Sequence, residues 1–197
     1  MSTRLAIFAC LLLLGGCSLN GPRQATTWYV LEDPGQMAAA PRPVWQDTLL
    51  LRETDAPAFY QGPALIYSRA AGTRGQYQYA RLTEWPAPRI AQLLRQRLEQ
   101  AALFQAVAPL GAGVSGGYQL NTRLLDFYHD ARQAPGEVIL VLEAELIRRA
   151  DARLLARTRI ETRAPAASHD AAGAAGAANA ALGQALDRIS VWLSRPL

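Results

Sequence analysis

Few side chains in this chain of 197 residues could do chemistry, and their spacing separates catalysis from anchoring. The two histidines, His129 and His169, have no cysteine nearby and no metal-ligand spacing. Asp126, His129 and Asp130 cluster on paper, at the end of an extended stretch that reads as a loop rim. No G-x-S-x-G nucleophile elbow occurs. Gly111-x-Gly113-x-x-Gly116 matches a dinucleotide-binding pattern, yet it leads into a strand, so no helix N-terminus follows to receive a phosphate. These residues predict a protein that is not an enzyme and takes no metal, nucleotide or other cofactor. What remains is a thiol, Cys17.

Cys17 ends a segment with its own logic, MSTRLAIFACLLLLGGCSLN. Arg4 supplies a positive start, Leu5 to Leu14 form the apolar run, and Leu14-Gly15-Gly16 place small residues before the cysteine. About ten apolar residues fall short of the roughly twenty that span a bilayer, so the segment reads as a secretory signal. The Leu-Gly-Gly-Cys ending resembles the bacterial lipobox, which implies acylation of Cys17 and cleavage before it. Small residues there let a peptidase approach the backbone. Ser18 does not look like an inner-membrane retention residue, so the expected address is the periplasmic face of the outer membrane of a Gram-negative cell. Several acyl chains on one cysteine anchor stably where a single chain does not. The expected organisation is a cleaved signal over 1–16, a lipidated tether over 17–25 and one domain over 26–197.

Composition narrows the rest. Cys10 leaves with the signal and Cys17 carries lipid, so no disulfide can form in the mature chain. The formal net charge is +4, and all 20 basic residues are arginine. The arginines are scattered among acids, which reads as GC-rich codon usage and predicts no nucleic-acid partner.

The elements follow from periodicity. TTWYVL (26–31) and DTLLLR (47–52) read as strands, the second buried on both faces. ALIYS (64–68) and QYQYARL (76–82) flank a glycine-containing hairpin connection. Pro86 and Pro88 suit a helix start, and Ile90, Leu93, Leu94, Leu98 and Ala101 form one apolar stripe. Arg89, Arg95, Arg97 and Glu99 are expected on the solvated side. Residues 103–108 read as a short strand, and 118–128, 137–148 and 154–164 as three long ones joined by short connections, hence an antiparallel meander. Glu143 and Glu145 oppose arginines of the next strand. Ser168 or Asp170 can cap an Ala-rich helix to Trp192, whose glycines leave a small-residue face. The predicted fold class is α+β: a single domain with a mainly antiparallel sheet and two packed helices. Phe59, Tyr60, Tyr67, Tyr77 and Tyr79 lie among Pro57, Gly62, Pro63, Gly72 and Gly75, an irregular backbone that predicts exposed aromatics facing a partner. The alternative is that Tyr77 and Tyr79 merely cover a sheet face.

Several pieces in order resemble one family: the lipobox, Tyr29-Val30-Leu31, Gly62-Pro63-Ala64-Leu65-Ile66-Tyr67, Tyr77-x-Tyr79, Trp85-x-x-Pro88 before the leucine helix, then the 120–127 and 138–146 stretches and a C-terminal helix. Together they are similar to auxiliary lipoproteins of MCE-type ABC transport systems, the PqiC group above all. The resemblance implies a non-catalytic outer-membrane subunit, partnered with an MCE-domain protein and capable of ring-like self-association. Such a subunit helps move phospholipid or similar apolar molecules between the two membranes. A scaffold lipoprotein of an outer-membrane or cell-wall complex is the alternative role.

Cys17→Ala is expected to leave an unlipidated precursor that is not tethered to the membrane. Metabolic labelling with a fatty-acid probe checks this: undiminished label in the variant defeats the assignment.

Overall fold

The computed structural model describes residues 24–35 and 39–195. The signal, Cys17 and the first part of the tether lie outside the described residues. In chain order the elements are β1 (Thr27–Tyr29), β2 (Trp45–Leu51), β3 (Ala64–Ser68), β4 (Gly75–Leu82), α1 (Pro86–Ala101), β5 (Phe104–Pro109), β6 (Tyr118–Asp130), β7 (Glu137–Arg148), β8 (Arg153–Pro165) and α2 (Ala171–Leu193). A single 3₁₀ turn, Ala58–Tyr60, precedes β3.

All eight strands join one sheet, and β6 is its spine. One edge of β6 pairs antiparallel with β7 along its length, and β7 pairs the same way with β8, which is the predicted meander. The other edge of β6 is shared. β2 pairs parallel at Tyr118–Leu120 and β3 parallel at His129 and Asp130, with an isolated bridge from Asp55 to Arg123 between them. β5 lies parallel outside β2; β4 pairs antiparallel with β3, and β1 parallel with β4. The α+β class and two helices stand as expected. The sheet is mixed, antiparallel through its long strands and parallel where crossovers return the short ones.

A bulge between Leu124 and Asp126 sets which residues see the core. Leu120, Thr122 and Leu124 face the helices; past the extra residue, Phe127 and His129 take over that face. Asp126 and Tyr128 are thereby turned to the opposite side. Without the bulge the period of two would reverse all four.

Both helices cover one face. The α1 stripe Ile90, Leu93, Leu94, Leu98 and Ala101 is buried, and α1 closes at Ala102 in the left-handed region. Asp170 caps α2 by accepting the Gly173 N–H at 2.9 Å. Alanines 174, 177, 178, 181 and 185 then lie buried, close enough for the Thr162 hydroxyl of β8 to donate to the Ala181 carbonyl at 2.8 Å. Gly183 faces the loop after β1, where an added Cβ would stand 3.2 Å from the Pro34 ring.

Arg97 corrects the expectation of a solvated arginine. It is 1% exposed. Its Nε donates to Asp33 at 2.9 Å, a second nitrogen reaches the other Asp33 oxygen, and Nη1 pairs with Asp187 of α2. The guanidinium lies so close over Gly35 that a Cβ there would fall 2.0 Å from Nη2. The physical reason is register: 90, 93, 94 and 97 follow the three- and four-residue spacing of the apolar stripe, so Arg97 has to enter the interior. Only its two carboxylate partners make that tolerable.

Arg97→Ala leaves Asp33 and Asp187 unpaired and is expected to cost about 3–5 kcal/mol. That corresponds to a melting temperature lower by roughly 10 °C for a domain of this size. Gly35→Ala is expected to act in the same direction by displacing the guanidinium. A thermal unfolding curve unchanged by both substitutions contradicts the assignment.

Candidate functional site

The five aromatics singled out in the sequence do not share one surface. Phe59 and Tyr60 sit in the 3₁₀ turn, edge to face with centroids 5.6 Å apart. Phe59 is 47% exposed, whereas Tyr60 is 7% exposed and belongs to the core, which corrects its placement on a docking surface. The Tyr60 hydroxyl donates to Asp126, which also takes Arg74 at 2.8 Å, and the Arg74 guanidinium lies 3.5 Å from the centre of the Tyr128 ring. Burial first, and then the hydrogen bond to Asp126, pushes the Tyr60 phenol up to about 12. Tyr79 on β4 is exposed.

Tyr67 and Tyr77 are half-buried and pack with centroids 4.9 Å apart. The Tyr67 ring lies across Gly75, where a Cβ would come within 2.7 Å of it. The Tyr77 hydroxyl bonds Nδ1 of His129 at 2.7 Å, and Nε2 of His129 bonds the Pro135 carbonyl at 2.9 Å. A carbonyl only accepts, so Nε2 carries the proton and Nδ1 accepts from the phenol. His129 is 1% exposed, and burial lowers its pKa from the ordinary value. His169 stands edge-on to it at 5.9 Å.

This arrangement is structural hydrogen bonding. His129 belongs to the helix-covered face of β6, which corrects the reading of a loop rim. Asp126 is turned away toward Arg74, and Asp130 is held by Arg132 in a two-pronged pair at 2.8 and 2.6 Å. The three groups do not converge. Among the described residues no three His, Cys, Asp or Glu side chains gather to hold a metal ion. A groove of about 680 Å³ is lined by Arg52, Asp55, Arg123, Glu143, Glu145 and Arg157. Its charges interleave, and Glu145 pairs with Arg157 across β7 and β8 as the register predicts.

Sequence reading missed another surface. Trp28 and Val30 were legible only as strand residues, and Trp85 only as the residue before a helix. All three are exposed, Trp28 by 57% and Trp85 by 54%. They share a corner, because the Thr83 N–H donates to the Tyr29 carbonyl at 2.9 Å and joins the end of β1 to the approach to α1. No local signal marks this corner, because only the order of the strands places β1 at the sheet edge.

A depressed histidine pKa means that the unfolded chain binds the proton more readily than the folded one. His129 therefore contributes stability that is fully present above about pH 6.5 and is lost as pH falls through its lower folded value. The melting temperature is expected to fall between pH 7.5 and pH 5, and His129→Asn to be less stable at pH 7.5 with a flatter dependence over that interval. An unchanged slope in the variant assigns the pH dependence to other groups.

The model of the family described as "ABC-type transport auxiliary lipoprotein component" matches residues 29–190. No curated protein sequence matches the chain. Among solved structures, protein XCC0632 from Xanthomonas campestris is similar with TM-score 0.75 and 21% identity, over 84% of this chain and 94% of that one. An uncharacterized protein is similar with TM-score 0.66 and 14% identity, over 86% and 99%. At these identities the structures report the shared fold, and the family model covers most of the domain. The chain belongs to the family of ABC-type transport auxiliary lipoprotein components.

Proposed function

We propose that the protein is a non-catalytic outer-membrane lipoprotein serving an MCE-type ABC transport system. In this role Cys17 carries the lipid and holds the domain on the periplasmic face. The domain then helps an MCE-domain protein pass phospholipid or similar apolar molecules between the inner and outer membranes. The observation that carries the reading is the family match over residues 29–190, an auxiliary lipoprotein component, in a chain whose first residues hold a lipobox-like Leu14-Gly15-Gly16-Cys17. The engagement of His129 in fixed hydrogen bonds, with Asp126 and Asp130 each bound to an arginine, accords with a subunit that binds instead of reacting. Anchoring restricts the domain to a thin layer and raises its effective concentration near a periplasm-spanning partner. Self-association into a ring belongs to the same reading, and the chain itself needs no nucleotide.

Partner contact is proposed at the exposed rings Phe59 and Tyr79, while Tyr67 and Tyr77 pack against each other and His129. Aromatic side chains bury large area with few rotatable bonds and so dominate many interfaces. Phe59→Ala with Tyr79→Ala is expected to weaken capture of the MCE-domain protein of the transport system by about tenfold or more, with the melting temperature held. Tyr60→Ala, a core change, is expected to lower the melting temperature instead. Pull-down with the purified MCE-domain protein, together with thermal melts, checks both; full capture by the double variant removes these rings from the interface.

A further inference from the structure

The exposed corner made by Trp28, Val30 and Trp85 has a definite place relative to the chain's anchor. Trp28 lies in β1, the edge strand that begins just after the tether, and Val30 follows on the same side by alternation. Parallel pairing sets Trp28 opposite Arg81 of β4, so the two side chains share a face. Beyond Val30 the neighbouring flank of α2 presents Asn179, whose Nδ2 donates to the Val30 carbonyl at 3.4 Å. From Ala171 to Leu186 α2 contains no charged residue. The corner therefore combines two tryptophans, a valine, one flanking cation and an uncharged helix flank, with the exposed carboxylates of Glu32 and Glu84 at its border.

The length of chain leading to it decides what it can meet. Cys17 and Trp28 are separated by so few residues that even a fully extended chain spans less than about 40 Å. With Cys17 acylated, this corner cannot leave the vicinity of the bilayer. Confinement of this kind corresponds to an effective concentration of about millimolar, so a weak affinity for the surface suffices to keep it occupied. Tryptophan suits such a surface because its ring is apolar while its N–H seeks a polar partner, and it concentrates at membrane–water interfaces. Arg81 beside Trp28 complements a phosphate headgroup.

We propose that Trp28, Val30 and Trp85 form a membrane-contact patch that seats in the headgroup layer of the bilayer holding the lipid anchor, fixing the orientation of the domain on that membrane. The occupant is the phospholipid surface itself. The inference rests on the lipidation of Cys17 in the proposed function, and it adds a second point of contact. One acylated cysteine at the end of a tether leaves the domain free to rotate; a patch at the domain's own corner removes that freedom.

The test uses the purified lipidated full-length protein in vesicles of phosphatidylethanolamine and phosphatidylglycerol, with and without brominated acyl chains. Tryptophan emission of the native protein is expected to be quenched by the brominated lipid about twofold more than that of Trp28→Phe with Trp85→Phe. That variant retains Trp45 and Trp192, of which Trp45 is buried. Val30→Asp, at an exposed position, is expected to reduce the quenching as well while leaving the melting temperature unchanged. Equal quenching in native and double variant, with both floating on the vesicles, overturns the patch and leaves the anchor standing. A native protein that does not float overturns the anchor reading and the patch with it. Loss of self-association or of MCE-protein capture in the double variant, without brominated-lipid quenching of the native protein, overturns the proposal in favour of a protein contact.

Discussion

A guanidinium carried into the interior has to bring its counter-charges with it, and Arg97 brings them from two separate parts of the chain. Asp33 comes from the loop after β1 and Asp187 from the last third of α2, and both meet on a side chain of α1 that solvent barely reaches. The pair with Asp33 is two-pronged, a geometry that fixes direction as well as distance. Because Gly35 has no Cβ, the loop can lie against the guanidinium plane. Around this contact the same loop is pinned again: the Glu32 N–H donates to Asn179 of α2 at 3.0 Å, and Arg89 of α1 donates to the Leu31 carbonyl at 2.9 Å. The mutual placement of the two helices and of the chain entering the domain thus depends on one buried charge. Replacing such an ion pair wholesale by apolar residues is often neutral, so its distinctive contribution is to fix which segments meet.

The second organising constraint is the bulge in β6. By reversing the face parity after Leu124, it sends His129 under the helices and Asp126 out toward Arg74. The central strand accordingly carries a buried hydrogen-bond relay on one side and a salt bridge on the other. β6 also offers its second edge to two different strands, and the gap between them is bridged by Asp55. The backbone there stays satisfied: the Asp55 N–H donates to Thr122 and the Leu124 N–H to Asp55. Beneath the bridge, the Thr54 and Thr122 hydroxyls share a bond at 2.7 Å.

Much of this could be read from the sequence where a local period dictates the answer. The meander was legible because turn residues separate three long alternating runs, and Glu145 opposite Arg157 followed from it. DTLLLR announced burial on both faces, and Leu49, Leu50 and Leu51 are all buried. Arg97 carries a visible signal of its burial, since it repeats the spacing of Ile90, Leu93 and Leu94, while its charge alone points to solvent. Tyr60 and His129 failed for a different reason. Irregular backbone around Tyr60 predicts exposure only when nothing packs over the turn, and the bulge that reverses His129 leaves no mark in composition. Parallel pairing of the short strands is likewise a long-range property that no single stretch encodes. The exposed corner at Trp28 and Trp85 needed the sheet order, because only that order makes β1 an edge.

These features bear on how the domain would be held by the proposed lipid anchor. In the proposed role a pull on the anchor enters the described residues just before β1, a strand of three residues with one neighbour. Three parallel pairings at a sheet edge are a weak attachment, since local opening is easiest where few backbone bonds and little buried surface resist it. The strand need not bear that load alone. Leu31, immediately after it, is buried, and residues 30–35 are bonded to both helices through Asn179, Arg89 and Arg97. Peeling the N-terminal segment away from the domain would therefore expose a buried leucine and strand a buried guanidinium, a cost far above that of three edge bonds. The charge that the sequence placed among apolar side chains acts as a clamp on the segment that enters the domain, where the proposed anchor would pull.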